Sequence, residues 1–422
     1  MKSPETLHLE TFVSKLKDSP NFQPDSSEIK KVCDLVTSSQ DWMTPELQAD
    51  VLRSISYFVL DNKIEQNTRD LCSDTISNLI TRDTLQNFIT SLTPMLMQIK
   101  SKYVSAAGRF KSLPSMTLKP TIGFTANEDK IREDWLASGG IRGISLFFVT
   151  LKHMEHRDIS SNLWWITPGI LNIMDDTTDL LRIRLKGAVL LDCFLGTTYD
   201  STDTAQFDFS TTGLFDVYYG CLRSMWYLLP PSTNSKITEQ VWKIVFPAML
   251  SLFKAQFASE DLLYSNQINK FLSEILLQGT LPRVAPDHVE LTIDLLRYIQ
   301  VVLQILGLRS AVHMQRLIYT VGEFIIRNPF ITLFVPLIHE TVTTLSEMVK
   351  VCPEVRVAAH KYDLLGGVFI LYLKCRSEGK LDTQTLHFLR DYTRLLQAAG
   401  CKLSPEDLEM IKERQLQDLI DC

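Results

Sequence analysis

Residues 162–195 read NLWWITPGILNIMDDTTDLLRIRLKGAVLLDCFL and carry the pattern of two neighbouring helices. One apolar segment stops at the acidic pair Asp175 and Asp176, and a second apolar segment follows two arginines, Arg182 and Arg184. A helix that is apolar along one side must bury that side against another element. The stretch therefore predicts two antiparallel helices in a stacked array.

The same helical spacing of apolar residues extends over most of the chain, for example in residues 85–99 and 291–306. No region shows the sustained strict alternation that predicts a large sheet. A chain of 422 residues exceeds the size at which one hydrophobic core keeps growing. We therefore predict an all-α fold, and within it a HEAT-like α-solenoid of stacked antiparallel helix pairs, in which each pair buries one side against the next.

Three prolines support a repeat of about 40 to 47 residues, the period of HEAT units. Pro168, Pro247 and Pro336 each stand just before a hydrophobic segment. First helices of HEAT units often begin in this way. Helix starts are also predicted at Thr44-Pro45 and Ser404-Pro405, where a hydroxyl side chain precedes a proline at the first helical position.

One break interrupts the helical pattern. Residues 112–127, SLPSMTLKPTIGFTAN, contain two prolines and a glycine and few helix formers. We predict an N-terminal helical region over 1–111, an extended connector over 112–135 and a helical repeat region over 136–422.

Composition argues against several classes of function. The chain carries 49 acidic and 43 basic residues, a net charge of −6, and no basic run that could track phosphates, so nucleic acid is not expected as a ligand. Apolar runs such as 330–338 and 364–373 are far shorter than the roughly 20 residues that span a bilayer, so no membrane is expected. The eight cysteines are scattered without zinc-ligand spacing and predict free thiols in a reducing compartment. We expect the cytoplasm, with access to the nucleus.

Three motifs could carry chemistry, and each has a structural interpretation that we prefer. Asp175, Asp176 and Asp179 could hold a cation, but the loop lacks the glycine and glutamate of an EF-hand, and capping of the two helices explains them better, with Arg182 or Arg184 as partners. His153 and His156 form H-x-x-H in a helical context without a third zinc ligand, and a solvated helix end explains them better. The run 138–143, SGGIRG, lacks the lysine of a phosphate loop and predicts a helix-breaking turn. We therefore predict no catalytic, cofactor or metal site.

Candidate partner-binding residues are aromatic or lie in the connector. Trp164 and Trp165 are adjacent, and neighbours on a helix point about 100° apart, so at most one is expected to lie fully in the core. The other could anchor a partner. Lys119 and Phe124 lie in an extended strip that either folds back on this chain or is held by a neighbour. Asp175, Asp176 and Arg184 complete the set of candidates.

A series of segments follows in a fixed order from the connector onward. They are LKPTIGFT at 118–125, Glu128-Asp129, Arg132, Trp135, TPGILNIMDD at 167–176, Arg184 three residues before Gly187, Leu190-Leu191, TTGL at 211–214, Val217, and Leu228-Leu229-Pro230. In their order and spacing, over about a quarter of the chain, they resemble the Tti-two (TELO-two-interacting protein two) family, a subunit of the TTT co-chaperone complex.

The resemblance implies a non-enzymatic α-solenoid that binds Tti-one and Tel-two subunits. It further implies a role in stabilising phosphatidylinositol-3-kinase-related kinases (PIKKs) and related pseudokinases, together with the ninety-kilodalton heat-shock chaperone and RuvB-like ATPases. The alternatives are another helical-repeat adaptor such as a karyopherin-like transport factor, and an enzyme whose site is assembled from distant residues.

Overall fold

The structure, a computed structural model, describes residues 3–38, 43–97, 133–200, 202, 204–257 and 260–420. Within these ranges it is helical, without strands beyond an isolated bridge between Tyr199 and Ala205, so the predicted all-α class is confirmed. The α-helices are α1 Pro4–Asp18, α2 Ser26–Ser38, α3 Pro45–Ser56, α4 Gln66–Leu79, α5 Arg82–Met97, α6 Gly140–Lys152, α7 His156–Met174, α8 Leu185–Gly196, α9 Phe215–Trp226, α10 Ser235–Phe257, α11 Asp261–Lys270, α12 Leu281–Val284, α13 Val289–Leu306, α14 Met314–Val321, α15 Val335–Val351, α16 Glu354–Ala359, α17 Lys361–Ser377, α18 Thr383–Ala398 and α19 Pro405–Glu413.

Shorter helical turns join or extend these helices. π-Helical turns lie at Leu180–Arg184, Phe271–Thr280 and Gly322–Ile326, and 3₁₀ turns at Phe209–Thr212, Gly307–His313, Ile331–Leu333 and Gln417–Leu419.

Both predicted proline starts are confirmed. The Thr44 side chain accepts a hydrogen bond from the Leu47 amide at 3.3 Å at the start of α3. At the start of α19, Ser404 and Asp407 form a reciprocal capping box. Each cap satisfies amide groups that the first turn of a helix leaves without an intrahelical partner.

The first compact unit comprises residues 1–225 and 247–256. Among the described helices of this unit, one repeatedly packs on the helix two places further along: α1 on α3, α2 on α4, α3 on α5, α5 on α7, and α6 on α8. Each helix thereby buries its apolar side against another helix of the unit. The large buried side chains are spread along the sequence, at Phe12, Phe58, Phe88, Phe147 and Trp165.

Helices α7 and α8 form the predicted antiparallel pair. Near their connection, a Cβ on Gly187 would lie 2.5 Å from Cγ of Met174, so only glycine lets the two backbones approach this closely. At the other end, Nδ1 of His156 at the start of α7 lies 2.6 Å from the carbonyl oxygen of Thr197, just after α8. The start of one helix therefore meets the end of the other.

The proline pattern was wrong as a marker of helix starts in two of three cases. Pro168 lies inside α7 and Pro247 inside α10, whereas Pro336 lies in the first turn of α15 as predicted. A proline inside a helix removes one backbone hydrogen bond and crowds the carbonyl four residues before it, a combined cost of roughly 3 kcal/mol that burial of the surrounding apolar side chains can offset. Ile166 and Ile170, on either side of Pro168, are fully buried.

The second compact unit comprises residues 226–246 and 257–422. Trp226 and Trp242 stack with ring centroids 4.9 Å apart. The indole N–H of Trp226 donates to Oγ1 of Thr280 at 2.9 Å, and that of Trp242 donates to the carbonyl of Trp226 at 3.0 Å. Further along this unit, α11 packs on α13, α13 on α15, and α15 on α18.

One stretch of the described chain, Val289–Ile326, is long and apolar enough to cross a membrane by length and hydropathy alone. The sequence analysis missed it because charged and amide residues interrupt its apolar runs. Half of its most apolar segment is buried inside the protein, where α13 packs against α11 and α15. Gly307, with a φ of +53°, interrupts the stretch. Core packing accounts for its apolar character.

The predicted connector lies mostly outside the described residues, which omit 98–132. The division into 1–111, 112–135 and 136–422 therefore stays a prediction.

Candidate functional site

The acidic residues between α7 and α8 act as helix caps. Asp175 is the C-terminal cap of α7. Oδ1 of Asp176 accepts from the amides of Thr178 and Asp179 at 2.8 and 3.0 Å, and from the Thr178 hydroxyl at 2.7 Å. Asp179 in turn accepts from the Arg182 amide at 2.9 Å at the start of the next helical turn. The geometry agrees with the capping interpretation, and it places the N-terminal cap on Asp179.

The two arginines make contacts of different kinds. Arg182 pairs with Asp179 at 3.8 Å. Arg184 donates from Nε to the carbonyl of Met174 at 3.1 Å and from its terminal nitrogen to Oγ of Ser224 at 2.8 Å. Arg184 therefore donates to a C-terminal carbonyl of α7 and links the end of α7 to α9.

The surroundings of this junction are partly buried. The pKa of the Cys221 thiol is raised to about 11, mainly by burial and then by the Asp175 carboxylate, while the Arg184 guanidinium opposes the rise. The three side chains thus share one neighbourhood, in which the carboxylate and the guanidinium are held close to buried apolar surface. Charge reversal here is expected to disturb packing as well as any partner contact.

The two histidines of the H-x-x-H motif do not lie on one helix, so their predicted helical context was wrong. His153 is the C-terminal cap of α6, and His156 is the first residue of α7. A turn separates them, which puts their rings in different surroundings: His153 faces Oγ of Ser77 at 3.5 Å, and His156 contacts Thr197. Among the residues that the structure describes, no group of three or more His, Cys, Asp or Glu side chains could hold a metal ion.

The glycine run 138–143 forms the predicted turn, in which Gly139 has a φ of +89° and α6 begins at Gly140. Sequence reasoning missed Arg142 in this run. Its guanidinium donates to the carbonyls of Leu16, Ser19 and Phe22, at 3.0 and 3.2 Å for the first two, and so binds the end of α1 to α6. The only sequence signal is a cation next to a helix start, which is common and unspecific.

The tryptophan pair divides as the helical offset predicts. Trp165 is fully buried, packs against Phe147 at 5.4 Å between ring centroids, and donates from Nε1 to Oδ1 of Asn162 at 2.7 Å. Trp164 keeps 49% of its surface exposed. Of the two, Trp164 is the candidate anchor for a partner. Lys119 and Phe124 lie outside the described residues.

The second unit carries a groove that the sequence did not predict, mostly apolar in its cavity beside α19 and lined also by Gln315, Glu323, Arg327 and Asp363 in its other cavity. It runs along α17, between α14 with its following π turn on one side and α19 on the other, as two adjoining cavities of about 360 and 260 Å³. Both cavities share Tyr362, Gly366 and Ile370. We call this surface the tyrosine groove and define it by Tyr319, Gly322, Tyr362, Gly366, Ile370 and Met410.

Two features make the tyrosine groove suited to protein binding. Tyr319 and Tyr362 expose 66% and 68% of their surface, and tyrosine is enriched among residues that carry binding energy. A Cβ added to Gly322 or Gly366 would meet nothing within 4 Å, so packing within this protein does not require glycine at either position. The glycines leave an open floor between the rings. The sequence signal was present, since LLGGVFILYL at 364–373 puts apolar residues on every side of one helix.

Residues 34–333 match the Tti2 family. The chain is also 36% identical over 378 residues to TEL2-interacting protein 2 of Saccharomyces cerevisiae, an alignment that covers 89% of this chain and 85% of the yeast protein. The chain belongs to the Tti2 family. No solved structure matches it.

The Tti2 family match includes some candidate surfaces and omits others. Trp164, Arg184 and the aspartates of the α7–α8 junction lie inside the matched residues. Of the tyrosine groove, Tyr319 and Gly322 lie inside the match, whereas α17 and α19 follow it. The resemblance seen in the sequence is thus confirmed at the level of the family, and it extends well beyond the quarter of the chain that first carried it.

Proposed function

We propose that this Tti2 family chain is a non-enzymatic scaffold subunit of the TTT co-chaperone complex. The observation that carries the proposal is the similarity, over most of both chains, to a yeast protein named for its interaction with TEL2. That similarity supports a Tel-two type subunit as a partner of this chain. A Tti-one type subunit is proposed as the second partner because the resemblance carried by the sequence segments implies it.

The scaffold is proposed to be a HEAT-like α-solenoid. The packing of helices on those two or three places further along supports it in each unit separately, since this is how stacked helix pairs bury their apolar sides. Such a stack leaves long flanks of side chains free for docking. The protein contributes surface, and ATP turnover belongs to the chaperone machinery.

The wider role is the stability and assembly of PIKKs and related pseudokinases, in cooperation with the ninety-kilodalton heat-shock chaperone and, indirectly, RuvB-like ATPases. We place this work in the cytoplasm, with access to the nucleus. Depletion of the protein should lower the steady-state level of several PIKKs together while their messenger RNAs stay constant. Unchanged kinase levels after depletion would contradict the client role.

The tyrosine groove and Trp164 are the surfaces that we propose for docking the other two subunits. Exposed aromatic rings beside an open floor offer apolar area with little loss of side-chain entropy. In a reconstituted complex, Tyr319→Ala with Tyr362→Ala should weaken binding by roughly 2 kcal/mol or more.

A control variant separates the groove from general surface hydrophobicity. Leu262 and Val355 are 68% and 84% exposed and line neither cavity of the groove, so Leu262→Ala with Val355→Ala should bind like the natural protein. Equal losses in both double variants would remove the groove from the proposal and leave the scaffold role standing.

A further inference from the structure

A cleft of about 320 Å³ in the first unit concentrates positive charge. Its walls come from the α1–α2 connection, the residues that follow α3, the first turns of α6, and the start of the helix that leads into α8. Four cations line it, Lys63, Arg142, Arg182 and Lys186, with a single lining carboxylate, Asp61. Arg182 also pairs with Asp179, which lies outside the lining, at 3.8 Å. The whole chain carries a net charge of −6, so this cleft has the opposite sign to the protein around it.

The two innermost cations are held by neutral groups. Arg142 donates to the three carbonyls at the end of α1. Lys186 donates from Nζ to the carbonyl of Leu60 at 3.1 Å and to Oδ1 of Asn62 at 3.4 Å. Carbonyl oxygens hold both side chains in place, and because they carry no formal charge they do not neutralise the two cations.

The one carboxylate in the cleft is also engaged by neutral donors. Asp61 accepts from Nε2 of Gln23 at 2.9 Å and from the backbone amide of Lys63 at 2.9 Å. Burial lowers the pKa of both Arg142 and Lys186, because a charge held away from water is less stable. The Asp61 carboxylate opposes this lowering only in part. An incoming anion would find fixed, partly desolvated cations, where electrostatic attraction is stronger than in bulk water.

The rest of the walls combines the polar residues Asn21, Gln23, Asn62 and Ser145 with apolar groups. Tyr57 and Leu60 lie on one side, and Leu136 and Ile141 on the other. An inorganic anion would leave these groups uncovered. A peptide that carries both acidic and aliphatic side chains would cover the apolar walls and meet the cations at once.

We propose that this cleft binds an acidic segment of a partner protein, with carboxylate or phosphorylated side chains against Lys63, Arg142, Arg182 and Lys186 and an aliphatic side chain against the apolar walls. The inference goes beyond the scaffold role because it specifies the chemistry of one ligand. It can be tested on the isolated chain, so its failure would leave the scaffold role intact.

The test uses the full chain and a fluorescein-labelled peptide of alternating glutamate and leucine with one phosphoserine. Binding is measured by fluorescence anisotropy at two salt concentrations. Lys63→Glu with Arg182→Gln changes exposed side chains and should weaken binding roughly tenfold or more, and binding by the natural protein should fall as salt rises.

The matched control, Lys380→Glu with Lys402→Gln, makes the same change of charge at exposed positions of the second unit. It should change affinity less than about twofold, since these lysines lie outside the cleft. Thermal melting of each variant checks that the fold is kept, and Lys186→Met, which removes one fixed cation, provides a second cleft variant.

Three results would overturn the inference. The first is equal affinity in the cleft and control variants. The second is displacement of the peptide by inorganic phosphate at the same concentration, which would indicate a simple phosphate site. The third is tighter binding of single-stranded RNA than of the acidic peptide.

Discussion

Single residues decide how closely neighbouring helices approach. Gly187 is the clearest case, because a Cβ there would meet Cγ, the backbone nitrogen and Cα of Met174 at 2.5, 2.7 and 3.0 Å. The last two belong to the backbone and cannot rotate away. Gly196, at the end of the same helix, has nothing within 4 Å of its Cβ position.

We therefore expect Gly187→Ala to destabilise the protein by about 1–3 kcal/mol, because α8 must move away from α7. Gly196→Ala should be neutral or stabilise by up to about 1 kcal/mol, since alanine is the better helix former. Urea denaturation of both variants measures the free energies of unfolding. A Gly187→Ala variant as stable as Gly196→Ala would refute the close approach.

A second expectation at this scale concerns Asp176. Its carboxylate accepts three hydrogen bonds in the turn after α7, so Asp176→Ala should cost about 1–2 kcal/mol, as for other lost caps. Asp74→Ala, at an exposed position within α4, is the control and should stay within about 0.5 kcal/mol. Equal values for both would show that the turn does not depend on Asp176.

At the scale of helices, periodicity and capping residues predicted a good part of the structure. The starts of α3 and α19 follow from Thr44-Pro45 and Ser404-Pro405 because hydroxyl caps and first-turn prolines act locally. Prolines inside helices and the turn between His153 and His156 were misjudged, since tertiary packing decides whether a helix continues through such positions.

The candidate surfaces were harder to predict, for the same reason. Trp164 was found because the 100° offset between neighbours is a local rule. The tyrosine groove joins side chains from α14, α17 and α19, and the basic cleft joins four separate segments. No local pattern brings such residues together before the helices are packed.

One prediction at this scale concerns the contact of α17 with the cap of α19. Lys361 pairs with Asp407, and this ion pair, together with backbone donation from Ser404, lowers the pKa of the Asp407 carboxyl. Asp407→Asn should destabilise the protein at pH 7, because the partly buried Lys361 loses its counter-ion. The difference in unfolding free energy between the variant and the natural protein should shrink as pH falls below about 4, because Asp407 itself becomes protonated there. Chemical denaturation at several pH values measures it. A difference that does not depend on pH would contradict the ion pair.

At the scale of the whole molecule, partly buried histidines should make stability depend on pH. Burial lowers the pKa of His153, His313 and His339. The unfolded chain then binds more protons than the folded one between the lowered values and the ordinary value of about 6.5, so stability is full above about 6.5 and falls as pH drops below it.

The free energy of unfolding should therefore decrease between about pH 7 and pH 5.5. His153→Gln with His313→Gln should reduce this slope. Denaturant titrations across this range measure the slope. An equal slope in the natural protein and the double variant would contradict the assignment to buried histidines.

The central proposal is that the chain acts by binding other subunits through a stack of helices. Native isolation of the tagged full-length protein from its own cells, followed by quantitative mass spectrometry, tests this most directly. We predict a Tel-two type and a Tti-one type subunit in about equimolar amounts with the bait. Recovery of the protein alone, or with a small GTPase in place of these subunits, would contradict the account.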